Sequence, residues 1–113
     1  MTTTPQTLRL AVCLFPGLTV LDFIGPVQIL GALEPRNIKV HATFFPTSPL
    51  PSVQIEPTYF SHTREPVVGD AGPALIPQRT YSEVLDNFEQ YDLILVPGGM
   101  CRPIGSPGFL IMI

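Results

Sequence analysis

The stretch LRLAVCLFPGLTVLDFIGPVQILGAL, residues 8–33, decides the fold. Seven of its first eight residues are apolar. A run that short and that apolar, ended by Pro16-Gly17, reads as a strand over residues 8–15 covered on both faces, as in a parallel sheet. Residues 22–33 read as a helix. Pro26 must fall near its first turn, where a missing N–H costs little. From Val27 to Leu33 the helix has Gln28 as its one polar side chain, so it packs on more than one side. By hydropathy alone residues 10–33 are long enough to span a bilayer. Pro16-Gly17 and Gly25-Pro26 interrupt them, and Asp22 sits near the middle, where a charge in lipid costs several kcal/mol. Strand, sharp turn and helix is the better reading, and no membrane is expected as a partner.

Composition sets the outer bounds. The chain has 113 residues, enough for one domain and too few for two. Apolar residues make up 45% and charged residues 13%, which excludes a solvated disordered chain. The formal net charge is −3 and the six Lys and Arg residues are scattered, so no basic patch tracks a nucleic-acid backbone. Fourteen prolines and nine glycines without a repeat period exclude a collagen-like chain. The two cysteines, Cys13 and Cys101, form neither a metal-ligand cluster nor a disulfide framework. No metal site is expected. The cysteines fit a reducing compartment, and no basic residue precedes Arg9 as a secretory leader would require, so the expected location is cytoplasmic.

Glu34-Pro35 should end the helix. Residues 38–45 alternate, with Ile38, Val40, Ala42 and Phe44 against Lys39, His41 and Thr43, and read as a second strand near a sheet edge. The proline-rich residues 46–57 read as loop, and residues 58–78 as small hairpin arms divided by Glu65-Pro66 and Gly69-Asp70-Ala71-Gly72-Pro73. Residues 81–87 read as a short helix with Thr80 as N-cap and Glu83 at capping-box spacing. Residues 92–96 are a further buried strand, stopped by Pro97-Gly98-Gly99. This alternation is the α/β pattern, in which ligands sit beyond the carboxyl ends of the strands. Two segments converge there: residues 16–22 after the first strand and residues 97–101 after the last.

Within them, Asp22 is either a helix N-cap or a carboxyl that exchanges a proton at a reacting centre. Gly98 and Gly99 let the backbone approach a ligand and aim N–H groups at an anion, as an oxyanion loop or as a tight turn. Cys101 lies in a loop and lacks the strand-to-helix elbow that activates a thiol. Cys13 is a core thiol within the first strand. His41 and His62 have no nucleophile at a suggestive spacing and read as surface or structural.

AVCLFPGLTVLDFIGPVQIL at residues 11–30 and YDLILVPGG at residues 91–99 resemble the two end motifs of the DJ-one/PfpI superfamily. REPVVGDAGPALIPQRTYSEV at residues 64–84 is similar to the hairpin and short helix between them. The branch most resembled is isonitrile hydratase, with the amidase-like domain of some AraC-type regulators. The resemblance implies a flavodoxin-like, glutamine-amidotransferase-like α/β sandwich with a mostly parallel sheet. It implies Asp22 as the acidic partner of a catalytic thiol and Gly98 and Gly99 as the oxyanion loop. It implies a small-molecule substrate and no cofactor. In that branch a thiolate attacks the isonitrile carbon, an acid protonates it, and water releases an N-substituted formamide.

The resemblance covers residues 7–99, and residues 100–113 form a divergent tail. The family's elbow cysteine lies some two to three dozen residues beyond its Pro-Gly-Gly loop, and Cys101 does not match it. The expectation is that residues 1–113 are the amino-terminal portion of one domain, truncated, and inactive alone. A sheet that lacks its remaining helices would expose apolar surface, through which the chain would associate or form a homodimer. The alternative is a non-catalytic module that binds a small molecule, or acts as an interaction domain, on the same fold.

Overall fold

The computed structural model describes residues 4–99. Four strands form one all-parallel sheet in the order β3-β2-β1-β4, where β1 is Gln6–Cys13, β2 Val53–Ser61, β3 Arg79–Thr80 and β4 Leu93–Leu95. The three helices are α1 (Leu21–Leu30, continued as a 3₁₀ turn over Gly31–Leu33), α2 (Pro35–Phe44) and α3 (Tyr81–Asp86). β1 is central. The chain moves from it to β2 on one side, and later places β4 on its other side, so the strand order reverses between β1 and β4. In open α/β sheets that reversal leaves a crevice at the carboxyl ends of the two strands.

One face of the sheet carries the core. Leu10, Val12 and Leu14 of the first strand and its extension pack with Ile55, Leu95 and Phe23 of α1, all below 4% exposure. Tyr59 meets the Phe23 ring edge-on at 6.4 Å, and burial pushes its hydroxyl pKa up. The long apolar stretch thus resolves into strand, turn and helix; Pro16-Gly17 falls in the turn, whereas Gly25-Pro26 lies inside α1, with Pro26 its sixth residue and not in its first turn as expected. Among the described residues no helix is long and apolar enough to cross a membrane.

The opposite face is thinner. Ala11, Cys13, Phe60 and Ile94 line it with Tyr81, Val84 and Leu85 of α3. Ile94 remains 53% exposed, which corrects the expectation that β4 is covered on both faces. α3 begins as expected: the Thr80 hydroxyl accepts the Glu83 N–H. Its Glu83 and, beyond its end, Glu89 join a cluster in which Arg79 binds Glu83 and Glu89, Arg64 binds Glu83, and Arg9 approaches Glu89. Hydrogen bonding to Arg79 holds the Glu89 carboxyl below its ordinary pKa.

Two further expectations fail. Residues 38–44 are the body of α2, with Phe45 as its C-cap, and not an edge strand. Glu34 is extended at φ −67° and ψ 143°, its carbonyl accepts the N–H groups of Asn37 and Ile38, and Pro35 occupies the first turn. Glu34-Pro35 does end the first helix, after Leu33, as expected, but it also starts the next one, with proline at the position where it is favoured. Over eight residues the alternation fitted both periods, and Val40 and Phe44 lie exposed on the helix. The second correction is β2, which begins inside the supposed 46–57 loop. Pro57 sits in it opposite Leu10. Among the described residues β3 pairs only Phe60 and Ser61, so beside Pro57 the outer edge of β2 carries no ladder to break.

α3 ends on Phe88 at φ 51°, with the Glu89 N–H reaching the Val84 carbonyl and the Phe88 N–H reaching Leu85. That is a Schellman ending with phenylalanine in the left-handed position normally held by glycine. Phe88 is 86% exposed, so its ring contributes little packing in return. Phe88→Gly is expected to stabilise the chain by about 1 kcal/mol, read as a higher urea midpoint at unchanged slope; an unchanged or lower midpoint would refute this account of the turn.

Candidate functional site

Three segments meet at the β1–β4 reversal. After β1 the chain turns through residues 16–20, with Gly17 at φ 81° and the Leu18 N–H bound to the Phe15 carbonyl. Leu18 is fully buried and anchors the turn to the core. From one side the 67–75 arm, held by two hydrogen bonds between Val67 and Leu75, binds the turn: Gly17 N–H donates to Val68, and Asp70 N–H donates to Leu18. From the other side comes the segment after β4. The Thr19 N–H donates to the Gly98 carbonyl at 2.7 Å, and Gly99 bridges to Leu18.

Asp22 completes this junction. Its Oδ2 accepts the Gly98 N–H at 3.1 Å, across 76 residues of sequence. The structure thereby decides its local role. The N-cap of α1 is Val20, which makes no side-chain capping bond. Asp22 lies in the first turn, where the helix dipole favours a carboxylate, and its side chain leaves the helix to hold the Pro97-Gly98-Gly99 loop. Asp22 is half-buried, and among the described residues no hydrogen bond engages its Oδ1. One carboxyl oxygen is therefore fixed, and the other has no hydrogen-bond partner among the described residues.

The two glycines differ. Gly98 is buried and its N–H and C=O are both used, by Asp22 and Thr19. Gly99 adopts φ 152°, and a Cβ there would lie 2.6 Å from the Gly17 carbonyl oxygen and 2.7 Å from the Leu18 Cα. Its hydrogen is what lets the two strand ends meet. Among the described residues its N–H makes no hydrogen bond, so Gly99 and not Gly98 keeps a donor available.

The remaining candidates lie elsewhere. Cys13 is on the α3 face, lining an open depression of 380 Å³ with Phe60, Tyr81 and Ile94. Burial pushes its thiol pKa up, against a smaller lowering from the Tyr81 hydroxyl, which makes it a poor nucleophile. Tyr81 donates to the Leu14 carbonyl at 2.9 Å, and the same desolvation raises its own pKa. His62 meets the Tyr81 ring edge-on at 5.2 Å. His41 stacks at a tilt on Phe45 at 4.8 Å in the last turn of α2. Cys101 lies outside the described residues. Among the described residues no group of three or more His, Cys, Asp or Glu could hold a metal ion.

No protein-family model matches the chain, and no curated protein matches it. Among solved structures it is similar to the crystal structure of a ThiJ/PfpI family protein from Pseudomonas syringae, with a TM-score of 0.57 and 24% sequence identity. The chain shares that protein's fold. This is the flavodoxin-like α/β arrangement that the end motifs led us to expect. The similarity covers 84% of this chain and 30% of that protein's length.

The close approach at Gly99 predicts a contrast between two glycines. Gly99→Ala is expected to destabilise the chain by about 2 kcal/mol or more, through backbone strain and a clash with main-chain atoms. Gly25→Ala, inside α1 with nothing within 4 Å of the new methyl, is expected to stabilise it by roughly 0.5–1 kcal/mol. Urea unfolding of both variants checks this, and shifts of the same sign would contradict it.

Proposed function

We propose that this chain is the amino-terminal part of a DJ-one/PfpI-type protein, and that Asp22 is the acid of its catalytic centre. The observation that carries the reading is the Asp22–Gly98 hydrogen bond at the strand-order reversal. It fixes a carboxyl beside a glycine, and among the described residues both the second carboxyl oxygen and the Gly99 N–H are unused. A general acid and an anion-binding N–H on facing segments are what addition to an unsaturated carbon requires.

The activity proposed is an isonitrile-hydratase-like reaction in a longer polypeptide that adds the elbow cysteine. Its thiolate would attack the terminal carbon of the isonitrile, and the Asp22 carboxyl would deliver a proton to that carbon, leaving a thioimidate. Water would then add to the same carbon, and the C–S bond would break. The products are an N-substituted formamide and the free thiol, so the sum is substrate plus water. The thiol divides one difficult hydration into two easier steps. Gly99 N–H is the donor best placed to steady developing negative charge. Gly98 has the separate task of holding Asp22.

The 113-residue chain is expected to form no formamide from an isonitrile, because Cys13 is a raised-pKa thiol on the far face of the sheet. Formamide production lost on Cys101→Ala would overturn this. In a longer protein carrying the elbow cysteine, Asp22→Asn keeps an oxygen for the Gly98 N–H but removes the titrating proton. Turnover is expected to fall roughly 10²-fold or more with the melting temperature nearly unchanged. Full turnover in that variant would leave Asp22 as a structural tie alone.

A further inference from the structure

Asp70 was read in sequence only as part of a hairpin divider, and nothing in the reaction proposed above uses it. Its geometry is specific. The Asp70 N–H donates to the Leu18 carbonyl at 2.8 Å while its Oδ1 accepts the Val20 N–H at 3.2 Å. Val20 is the N-cap of α1 and has no side-chain oxygen to offer. The third helical position, where a capping box would place Glu or Gln to bind the N-cap N–H, is Phe23. α1 therefore begins without a cap from its own sequence, and Asp70 supplies the missing carboxylate from a segment fifty residues away.

The neighbouring contacts give this capping a direction. Gly17, Leu18 and Val20 bond to the 67–75 arm, whereas Thr19 and Asp22 bond to Gly98. Successive residues of the turn are thus drawn to opposite sides. Gly69 lets the arm lie flat: a Cβ there would fall 2.6 Å from Val20 Cγ2 and 3.0 Å from the Leu18 carbonyl oxygen. Val20 is two residues before Asp22, so whatever fixes the start of α1 fixes where the Asp22 carboxyl meets Gly98.

We infer that Asp70 is a positioning residue that caps α1 from the 67–75 arm and thereby sets the Asp22–Gly98 contact. This rests on the reading of Asp22 as the reactive acid, but its test does not read activity. The experiment is amide hydrogen exchange by NMR on the 113-residue chain, comparing wild type, Asp70→Ala, Asp70→Asn and Gly69→Ala. Asp70→Ala is expected to speed exchange at Thr19 and Gly98 roughly tenfold while Val12 and Leu14 keep their rates. Asp70→Asn, whose amide oxygen still accepts from Val20, is expected to restore most of the protection. Gly69→Ala keeps the carboxylate but lifts the arm, and is expected to resemble Asp70→Ala. In an Asp22→Ala background, Asp70→Ala should add nothing further at Gly98.

Unchanged exchange at Gly98 in Asp70→Ala overturns the inference. So does an equal loss of protection at Val12 and Leu14, which would make Asp70 a support of the whole fold. An additive effect in the Asp22→Ala background overturns it as well. If Asp22→Asn retains full turnover in the longer protein while Gly98 still answers to Asp70, the catalytic reading of Asp22 falls and the cap stands.

Discussion

The rest of the structure depends on the contact between two pieces of main chain, Gly99 against residues 17–19. No side chain fits there, because even a methyl group would overlap the Gly17 carbonyl oxygen and the Leu18 Cα. With hydrogen in that place, the ends of β1 and β4 join through the Thr19–Gly98 hydrogen bond, and Asp22 can reach the Gly98 N–H. The core follows the same constraint. Leu18 is driven to full burial by the turn that Gly99 permits, and Pro97 is fully buried on the other side of the contact. Backbone complementarity sets the site, and the carboxylate is added to a junction that already exists.

How much of this was legible depends on whether the deciding contact is local. β1, α1, β4 and the Thr80 cap were readable because each is specified by adjacent residues: an apolar run, a Pro-Gly stop, a hydroxyl three residues before Glu83. α2 was misread because eight alternating residues fit both periods, and Glu-Pro serves equally as a helix end and a helix start. β2 was missed because Pro57 argues against a central strand; the shortness of β3, which decides the matter, appears nowhere near it in sequence. The site behaves likewise. The strand-end rule for α/β sheets put Asp22, Gly98 and Gly99 forward together as candidates, and the structure joins Asp22 to Gly98. The division of labour between the two glycines was not legible, since it turns on which N–H faces Asp22. Asp70 was illegible for a related reason: its partner is a main-chain N–H fifty residues away, which leaves no trace in residue types.

The two faces of the sheet are held by different physics. The α1 face is a packed apolar cluster, for which burial supplies roughly 25 cal/mol per Å² and which screening by salt does not touch. The α3 face relies on a short helix, the stack of Phe60 on Tyr81, the edge-on contact of Phe60 with Tyr91, the Tyr81–Leu14 hydrogen bond, and a charged cluster around Arg79. The Arg79 pairs are half-buried and Arg79 donates to both oxygens of Glu89, so this cluster contributes to the layer, though it weakens as salt rises. The aromatic contacts and the hydrogen bond to Leu14 are insensitive to salt by comparison.

That asymmetry bears on the site through Leu14. The residue accepts Tyr81 on its carbonyl, donates its own N–H to Phe60, and has its side chain buried in the α1-side cluster. It directly follows the first strand, and Phe15, also in the core, links it to the turn that carries Gly17 and Leu18. The exposed apolar residues of the α3 face, Ile94 and Leu85, belong to the less stable layer, where local opening takes least free energy. Opening there would release one of the two hydrogen bonds at Leu14 and leave the turn still tied to the 67–75 arm and to Gly98. The site is anchored on the side of the sheet that is well packed, so the geometry around Asp22 does not require the thin face to be covered.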